Sequence, residues 1–502
     1  MEEPEHVGNS FQSDVKDHSK GNGLAKDPVP TRPPFSLPHE ILFVAIICSA
    51  QLLTQAALGQ AIAILRIIGE SFGTTNPGQL SWFAAAYSLT VGTFILIAGR
   101  LGDILGHKKL FVAGYLWFGL WSLIAGLSVY SRSQIFFDVC RAFQGTGPAL
   151  ILPNAVAILG RTYPPGRRKN ITFSLFGATA PSGFVLGAVF VSLFAERAWW
   201  PWGYWIMAIT CALLASLGYF VIPSAAQEPS VDKSFDYLGS LLGVAGLILF
   251  NVAWNQAPAA GWSTPYVYVL LILGVLLLAA FAVVERKVST PLVPFHTFSG
   301  KTGFVLGCIV LGWSAFGIWV YYFWQFSENL RGFSPLLVSA QLVPAGVSGL
   351  CAALTTGILL SLLHPSYIMC FAMLAFLVGN ILFATMPVKQ TYWLQSFFSI
   401  IVTPWGMDMS FPAATIILSD LMPREHQGLA ASLVNTLVNY SISIGLGIGG
   451  TVEAHVNRGN EDLLRGYRGA WYAGIGLSGI GFMLGLYFVF DEQIRRRRGV
   501  KG

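Results

Sequence analysis

An all-α polytopic membrane protein, two six-helix halves with two inserted central helices and fourteen transmembrane helices in all, is the fold class this sequence predicts. Three observations predict it. The 502 residues are 54% hydrophobic and only 11% charged, with a mean hydropathy of +0.61, which is too apolar for one or two water-soluble cores. Apolar runs of about 18–25 residues, each bounded by Gly, Pro or charge, recur fourteen times. Basic residues gather in alternate loops between those runs.

The elements follow in order. The first 40 residues are rich in Asp, Glu, Lys, Gly, Ser and Pro and contain the run PVPTRPP, so they lack the material for a core and read as a disordered tail. No secretory signal precedes the first apolar run. The predicted spans cover 41–66, 79–99, 110–129, 135–160, 171–194, 202–222, 237–254, 265–284, 303–326, 335–361, 366–386, 392–418, 429–454 and 470–490. An even count puts both termini on one side. With that side cytoplasmic, 21 Lys and Arg fall on it and seven on the other, while Arg66 and Arg141 lie within helices. This threefold bias is what positive-inside topology produces. The expected organisation is a disordered cytoplasmic tail (1–40), an N-terminal six-helix half (41–222), an inserted helix pair with cytoplasmic linkers (223–301), a C-terminal six-helix half (302–490) and a basic cytoplasmic tail (491–502).

An internal repeat supports the two halves. GTGPALILPNAVAILGRTYPP from Gly147 and GMDMSFPAATIILSDLMPRE from Gly406 align without a gap at an offset of 259 residues, which sets Gly147, Pro153 and Pro164 on Gly406, Pro412 and Pro423. Repeated halves around a midplane cavity suit a transporter, because rocking one half against the other alternates access to a shared site.

Five sets of residues carry chemistry. GRLGDILGHKKLF, between the second and third spans, holds Gly99, Arg100, Gly102, Asp103, Gly106 and Lys108. Its glycines let helix ends turn and approach a neighbour, Asp103 is able to cap a helix or hold a cation, and His107, Lys108 and Lys109 are expected to anchor the loop at the inner surface. In the fourth span, Asp138, Arg141 and Gln144 share a helix face at three-residue spacing, so an ion pair and an amide are expected to line up. A buried arginine there requires a cavity or a partner. The fifth span carries Pro181, Gly183 and Gly187 in a run of small residues suited to close helix packing. Asp408 is the only acid expected well inside a span. It reads either as a proton-accepting carboxylate or as a cap for amides freed by Pro404 and Pro412. Gln51, Gln55, Trp324, Gln325, Asn435 and Asn439 are candidates to line a substrate cavity or to bind helix to helix.

The first two of these groups follow G-x-L-x-D-x-x-G-x-K and R-x-x-Q-G-x-G, and together with LSWFAAAYSLTVGTFILIAGRLGD and GRTYPPGRRKN they resemble the 14-span drug:proton antiporters of the major facilitator superfamily. The chain is most similar there to fungal transporters of the aminotriazole and boron resistance type. Two departures stand out: Ile104 occupies the place where the family has an arginine after the aspartate, and Ala180 replaces the glycine before the proline of the span-five motif. The resemblance implies proton-coupled export of a xenobiotic or secondary metabolite across the plasma membrane by a monomer, with the proton gradient as energy source and no cofactor. It also implies a conformational latch at the Asp103 loop, a coupling role for Arg141 and Gln144, and an antiporter motif at Pro181; a coupling role for Asp408 is expected from its place inside a span. The alternatives are a carrier of a small borate- or ammonium-like solute and a non-transporting sensor on the same scaffold.

Other classes fit poorly. Ser299-Gly300-Lys301-Thr302 ends like a phosphate-binding loop, but Phe295 stands where that motif needs Gly. No acid/base pair, metal cluster or Ser/His constellation appears at helical spacing, so neither an enzyme nor a metal site is expected. The six cysteines lie in apolar runs and read as small hydrophobes. The net charge of +6 is spread over short loops, which fits bilayer orientation and excludes a nucleic-acid partner.

Overall fold

A computed structural model describes residues 36–164, 167–223, 235–288, 291–293, 295, 298, 300–421, 427–457 and 462–497. The predicted tail lies outside these residues except for its last five. Among the described residues, fourteen helices are long and apolar enough to cross a bilayer: span 1 (Leu37–Ala63), span 2 (Pro77–Leu105), span 3 (His107–Ser131), span 4 (Gln134–Thr162), span 5 (Arg167–Arg197), span 6 (Pro201–Val221), span 7 (Tyr237–Ala260), span 8 (Pro265–Glu285), span 9 (Gly300–Asn329), span 10 (Pro335–Leu362), span 11 (Pro365–Ala384), span 12 (Gln395–Leu421), span 13 (Ala430–Val456) and span 14 (Leu463–Arg495). Helix is the economical choice here, because hydrocarbon offers no partner for an unbonded peptide group.

The ends follow local rules. Pro77, Pro201, Pro265, Pro335 and Pro365 open their spans, where a missing N–H costs nothing. Ser133 and Ser334 accept from backbone amides at the starts of spans 4 and 10. Span 1 begins at Leu37, four residues before the predicted limit, because Pro38 and Glu40 suit a first helical turn. Arg66 is not inside span 1: the helix breaks at Ile64, and Arg66 sits in a short helix, Leu65–Phe72, paired with Glu70 at 3.3 Å.

Packing repeats along the chain. Span 1 lies against span 5, span 4 against spans 2 and 3, and span 3 against span 6; span 9 lies likewise against span 13, span 12 against spans 10 and 11, and span 11 against span 14. The close approaches recur with the same spacing. A Cβ added to Gly59 would lie 2.3 Å from Phe184 O and one on Gly187 2.1 Å from Ala56 O, while Gly317 and Gly445 would meet Ile442 O at 2.8 Å and Ser314 O at 2.2 Å. Each of those positions is 258 residues from its counterpart. Gly147 and Gly406 press on Phe118 and Phe376 in the same way. The glycines therefore let backbones touch, which is how helices associate where lipid removes the hydrophobic drive.

Spans 2 and 13 pack together, as do spans 5 and 10, and these form the two seams between the groups 1–6 and 9–14. We call the face that carries the start of span 1 and the end of span 14 the basic face. Near the opposite face, Ser192 and Ser339 hydroxyls meet at 2.9 Å, Leu336 N donates to Glu196 Oε1 at 2.8 Å and Tyr321 donates to Pro77 O at 3.2 Å. Span 7 packs on span 8 and leans on spans 2 and 13. Span 8 has only 11% of its apolar window buried, against 78% for span 2, so span 8 faces lipid and span 7 reaches the seam.

Candidate transport site

At the basic face, span 2 stops at Gly106, whose φ of +101° and ψ of 126° lie in a region that side chains other than hydrogen rarely adopt. The chain reverses there into span 3. Gly102 lets span 4 approach: a Cβ on it would lie 2.0 Å from Asn154 Oδ1 and 2.5 Å from His107 Nδ1. His107 is therefore not the surface anchor that the sequence suggested. It is buried, with Nδ1 and Asn154 Oδ1 2.7 Å apart and Nε2 3.3 Å from Asp103. Asp103 also holds Arg161 of span 4 at 3.3 Å. The aspartate thus joins spans 2, 3 and 4 of one helix group. Lys108 covers the ring of Tyr219 at 5.4 Å, and Gly99 faces Pro153 and, across the seam, Ser432.

Arg141 is fully buried in span 4. Its Nε donates to Phe83 O at 2.8 Å and its Nη2 to Ala57 O at 2.9 Å, and Nη1 donates to Gln144 Oε1, whose amide donates to Ser122 Oγ at 2.6 Å. The guanidinium also lies over the ring of Tyr87 at 4.6 Å and of Tyr204 at 5.8 Å. The expected ion pair with Asp138 is not formed: Asp138 accepts from Gln134 instead, and its Oδ1 is buried without a partner. Carbonyls and ring faces satisfy the fork from several sides, a role for which arginine is better shaped than lysine. Gly145 lets span 2 close on this centre, a Cβ there meeting Tyr87 O at 2.4 Å.

Span 5 presents two faces. Gly183 and Gly187 press on Leu52 O and Ala56 O of span 1, so they serve helix packing, while Pro181 faces span 10. A Cβ on Gly349 of span 10 would lie 2.5 Å from Pro181 Cγ and 2.8 Å from Asp408 Oδ2. The absence of a side chain at Gly349 thus brings Asp408 of span 12 next to the span-five motif. Asp408 Oδ2 is enclosed and accepts no hydrogen bond. The predicted capping of amides freed by Pro404 and Pro412 does not occur, although both prolines lie inside the helix.

The cavity candidates divide. Gln55 is buried in span 1, and Gln51 is half-buried. Trp324 is buried, with its ring edge-on to Phe184 across the seam at 6.0 Å and its indole N–H unpartnered. Gln325 accepts from Asn329 at 2.8 Å near the end of span 9. Asn435 and Asn439 each donate to the carbonyl one turn back, Ala431 O and Asn435 O. A groove of about 500 Å³ at Leu37, Cys48, Arg168 and Thr179 contains none of the candidates.

Several polar residues escaped the sequence reading. Asp408 is not alone: Glu328, beyond the predicted limit of span 9, and Glu453, in the last turn of span 13, are both buried, and Tyr322 donates to Glu453 at 3.2 Å. Asn251 and Asn255 of span 7 form a buried knot with Ser443 of span 13, which also donates to Ala85 O of span 2. The signal was present as two asparagines four apart in an apolar run. Asn154 left only a lone polar residue in span 4.

Fourteen membrane-crossing helices with repeated packing, two seams and buried charges near them define a polytopic membrane transporter. The chain belongs to the Major Facilitator Superfamily, which it matches over residues 47–445 and 304–501. It is 63% identical over 474 residues, 93% of this chain and 92% of the other, to a low affinity ammonium transporter of Saccharomyces cerevisiae. It is 50% identical over 465 residues to the efflux pump terJ of Aspergillus terreus, covering 91% and 90% of the two chains. The aminotriazole resistance protein of Saccharomyces cerevisiae is 41% identical over 465 residues, with 92% and 86% covered. The resemblance to the aminotriazole-resistance and efflux type stands.

Proposed function

We propose that this chain is a proton-coupled secondary transporter that exports small molecules across the plasma membrane by alternating access. The basic face is cytoplasmic in this reading, the carrier is a monomer in the bilayer, and the proton gradient is its energy source. Spans 1–6 and 9–14 act as halves that rock about the seams, a movement supported by the repeated pairing of their helices. Asp103 and Arg161 tie spans 2 and 4 of the first half together at the basic face, so that this half moves as a body, and Arg141 with Gln144 forms a fixed cationic centre.

One observation carries the reading. Asp408 Oδ2 is enclosed and unpartnered beside Gly349 and Pro181 at the seam of spans 5 and 10. Holding a charged Asp at mid-membrane costs about 2.5–3.5 kcal/mol on insertion scales, so a carboxylate kept there without a partner suits a group that gains and loses a proton. Asp408 is the coupling site in this proposal.

A second reading concerns the cargo. The relative named a low affinity ammonium transporter, at 63% identity, favours a small nitrogenous solute over a large organic one. Proteoliposomes with an imposed pH gradient separate the readings, with one arm following labelled methylammonium and another a panel of xenobiotics and fungal metabolites. The expected result is gradient-driven flux in one arm that Asp408→Asn uncouples from the gradient. Gradient-driven flux persisting in Asp408→Asn removes Asp408 as the coupling site, and absence of flux in both arms with a folded protein favours a sensor.

A further inference from the structure

Asp236 and Glu285 meet at the basic-face end of the inserted helix pair, outside both helix groups. Asp236 precedes span 7, and its Oδ1 accepts from Gly239 N at 2.8 Å. Glu285 ends span 8, and its Oε2 accepts from Val293 N at 3.0 Å, which holds the linker toward span 9. Both residues are enclosed, at 9% and 1% exposure. Each therefore spends one oxygen on the backbone, while Asp236 Oδ2 and Glu285 Oε1 are sealed from solvent with no donor.

Those two oxygens converge. A Cβ on Gly239 would lie 2.1 Å from Asp236 Oδ2 and 2.8 Å from Glu285 Oε1, and the two carboxyl groups are within hydrogen-bonding reach of each other. The titratable group facing Glu285 from span 7 is Asp236. The linker contributes apolar Leu292 and Val293, and its Phe295 packs on Phe281 of span 8 with ring centres 6.0 Å apart. Arg286 and Lys287, next along the chain, are exposed. Among the described residues no group of three or more His, Cys, Asp or Glu is placed to hold a metal ion. Two ionised carboxylates are not stable oxygen to oxygen in such a site, whereas one shared proton satisfies both orphan atoms.

We propose that Asp236 and Glu285 form a proton-binding site that holds one proton between them, and so clips the start of span 7, the end of span 8 and the linker to span 9. The proton comes from the aqueous phase at the basic face. Nothing in this site touches Asp408, so it stands or falls independently of the proposed transport mechanism. The sign follows from linkage: a proton that the folded pair keeps and the unfolded chain releases adds stability at low pH, and that stability fades as pH rises through the titration of the pair.

The test uses the purified full chain. Its thermal stability is expected to fall as pH rises across the pair's titration, and an infrared band of a protonated carboxyl group is expected to disappear with it. Glu285→Gln and Asp236→Asn each supply a permanent amide donor, so each is expected to keep the low-pH stability, flatten the pH dependence and remove the band. Hydrogen exchange at the Val293 amide of the unmodified chain provides a reading that needs no variant. Its protection, relative to the intrinsic exchange rate, is expected to fall by up to about tenfold per pH unit as pH rises from the ordinary carboxyl range of the opened site until the folded site has lost its proton, and to level off above that. An unchanged pH profile in both amide variants, or constant protection of Val293, overturns the proposal. Stabilisation of the unmodified chain, but not of Glu285→Gln, by sodium or calcium would assign the site to a cation and overturn it equally.

Discussion

Replacing Gly187 by alanine tests the helix contact on which the first group depends. The new methyl carbon would start 2.1 Å from Ala56 O, whereas ordinary contacts begin near 3.4 Å, so spans 1 and 5 must separate by about 1 Å over at least a turn. Overpacking of that kind costs about 1–3 kcal/mol, and the gain in helix propensity from Gly to Ala returns at most about 1 kcal/mol. The steric term wins. Gly445→Ala, 258 residues on, meets Ser314 O at 2.2 Å and should cost the same. Gly177→Ala and Gly476→Ala, with nothing within 4 Å, should be neutral or slightly stabilising. The assay is the melting temperature of the four purified variants in detergent, and the first two should fall together by several degrees. If Gly187→Ala and Gly445→Ala melt like the controls, or differ widely from each other, the argument from repeated backbone contact fails.

Asp103→Asn should leave stability nearly intact, since its pair with Arg161 is partly exposed and such pairs contribute about 0–1 kcal/mol; transport assayed in vesicles should nonetheless be lost. His107→Ala should destabilise by about 1–3 kcal/mol, because Asn154 Oδ1 is left buried without its ring partner, and denaturation in detergent reads this directly. Gly106→Ala should cost about 1–3 kcal/mol through its positive φ, with a matching loss of Tm. Arg141→Lys keeps the charge but gives up the fork that spans Phe83 O, Ala57 O and Gln144. One charge-assisted bond lost is about 1.5–3 kcal/mol, and flux should vanish even in the fraction that folds.

The fold was legible because its determinants are local. Length of apolar runs, proline at helix starts and alternation of loop charge each act within one span, and all fourteen helices appear near their predicted limits. The site was legible only where a residue type is costly in any setting. Arg141 and Asp408 announce themselves because a buried charge is rare, yet their partners are set by three-dimensional packing: Asp138 lies on the expected face of span 4 but bonds to Gln134. Glu328 was missed because hydropathy marks where the oily core ends and the helix continues beyond it, and Glu453 because it stands in the last turn of its predicted span, 429–454. His107 beside two lysines read as a surface cation, and only the side-chain vacancy at Gly102 draws it inward to Asn154.

The repeat separates what both groups share from what only one contains. The glycine contacts recur at 258 residues, since each group must pack its helices the same way. The charges do not recur: the position 259 residues after Arg141 is Ile400, and the one 259 before Asp408 is Ala149. The seams differ in the same manner. At one, Gly349 meets Pro181 with Asp408 alongside. At the other, Gly92 meets Tyr440, whose hydroxyl donates to Leu247 O of span 7 at 2.8 Å, and the Asn251–Asn255–Ser443 knot lies on the same side. A carboxylate that is to meet water from each face in turn needs a seam free to open, and a seam crossed by buried hydrogen bonds to a third helix resists opening. The inserted pair and the unpartnered acid thus lie at opposite seams: the seam of the proposed proton path is spared bonds to the inserted helices, and the Ser192–Ser339 and Leu336–Glu196 bonds that cross it lie near the face away from the basic one.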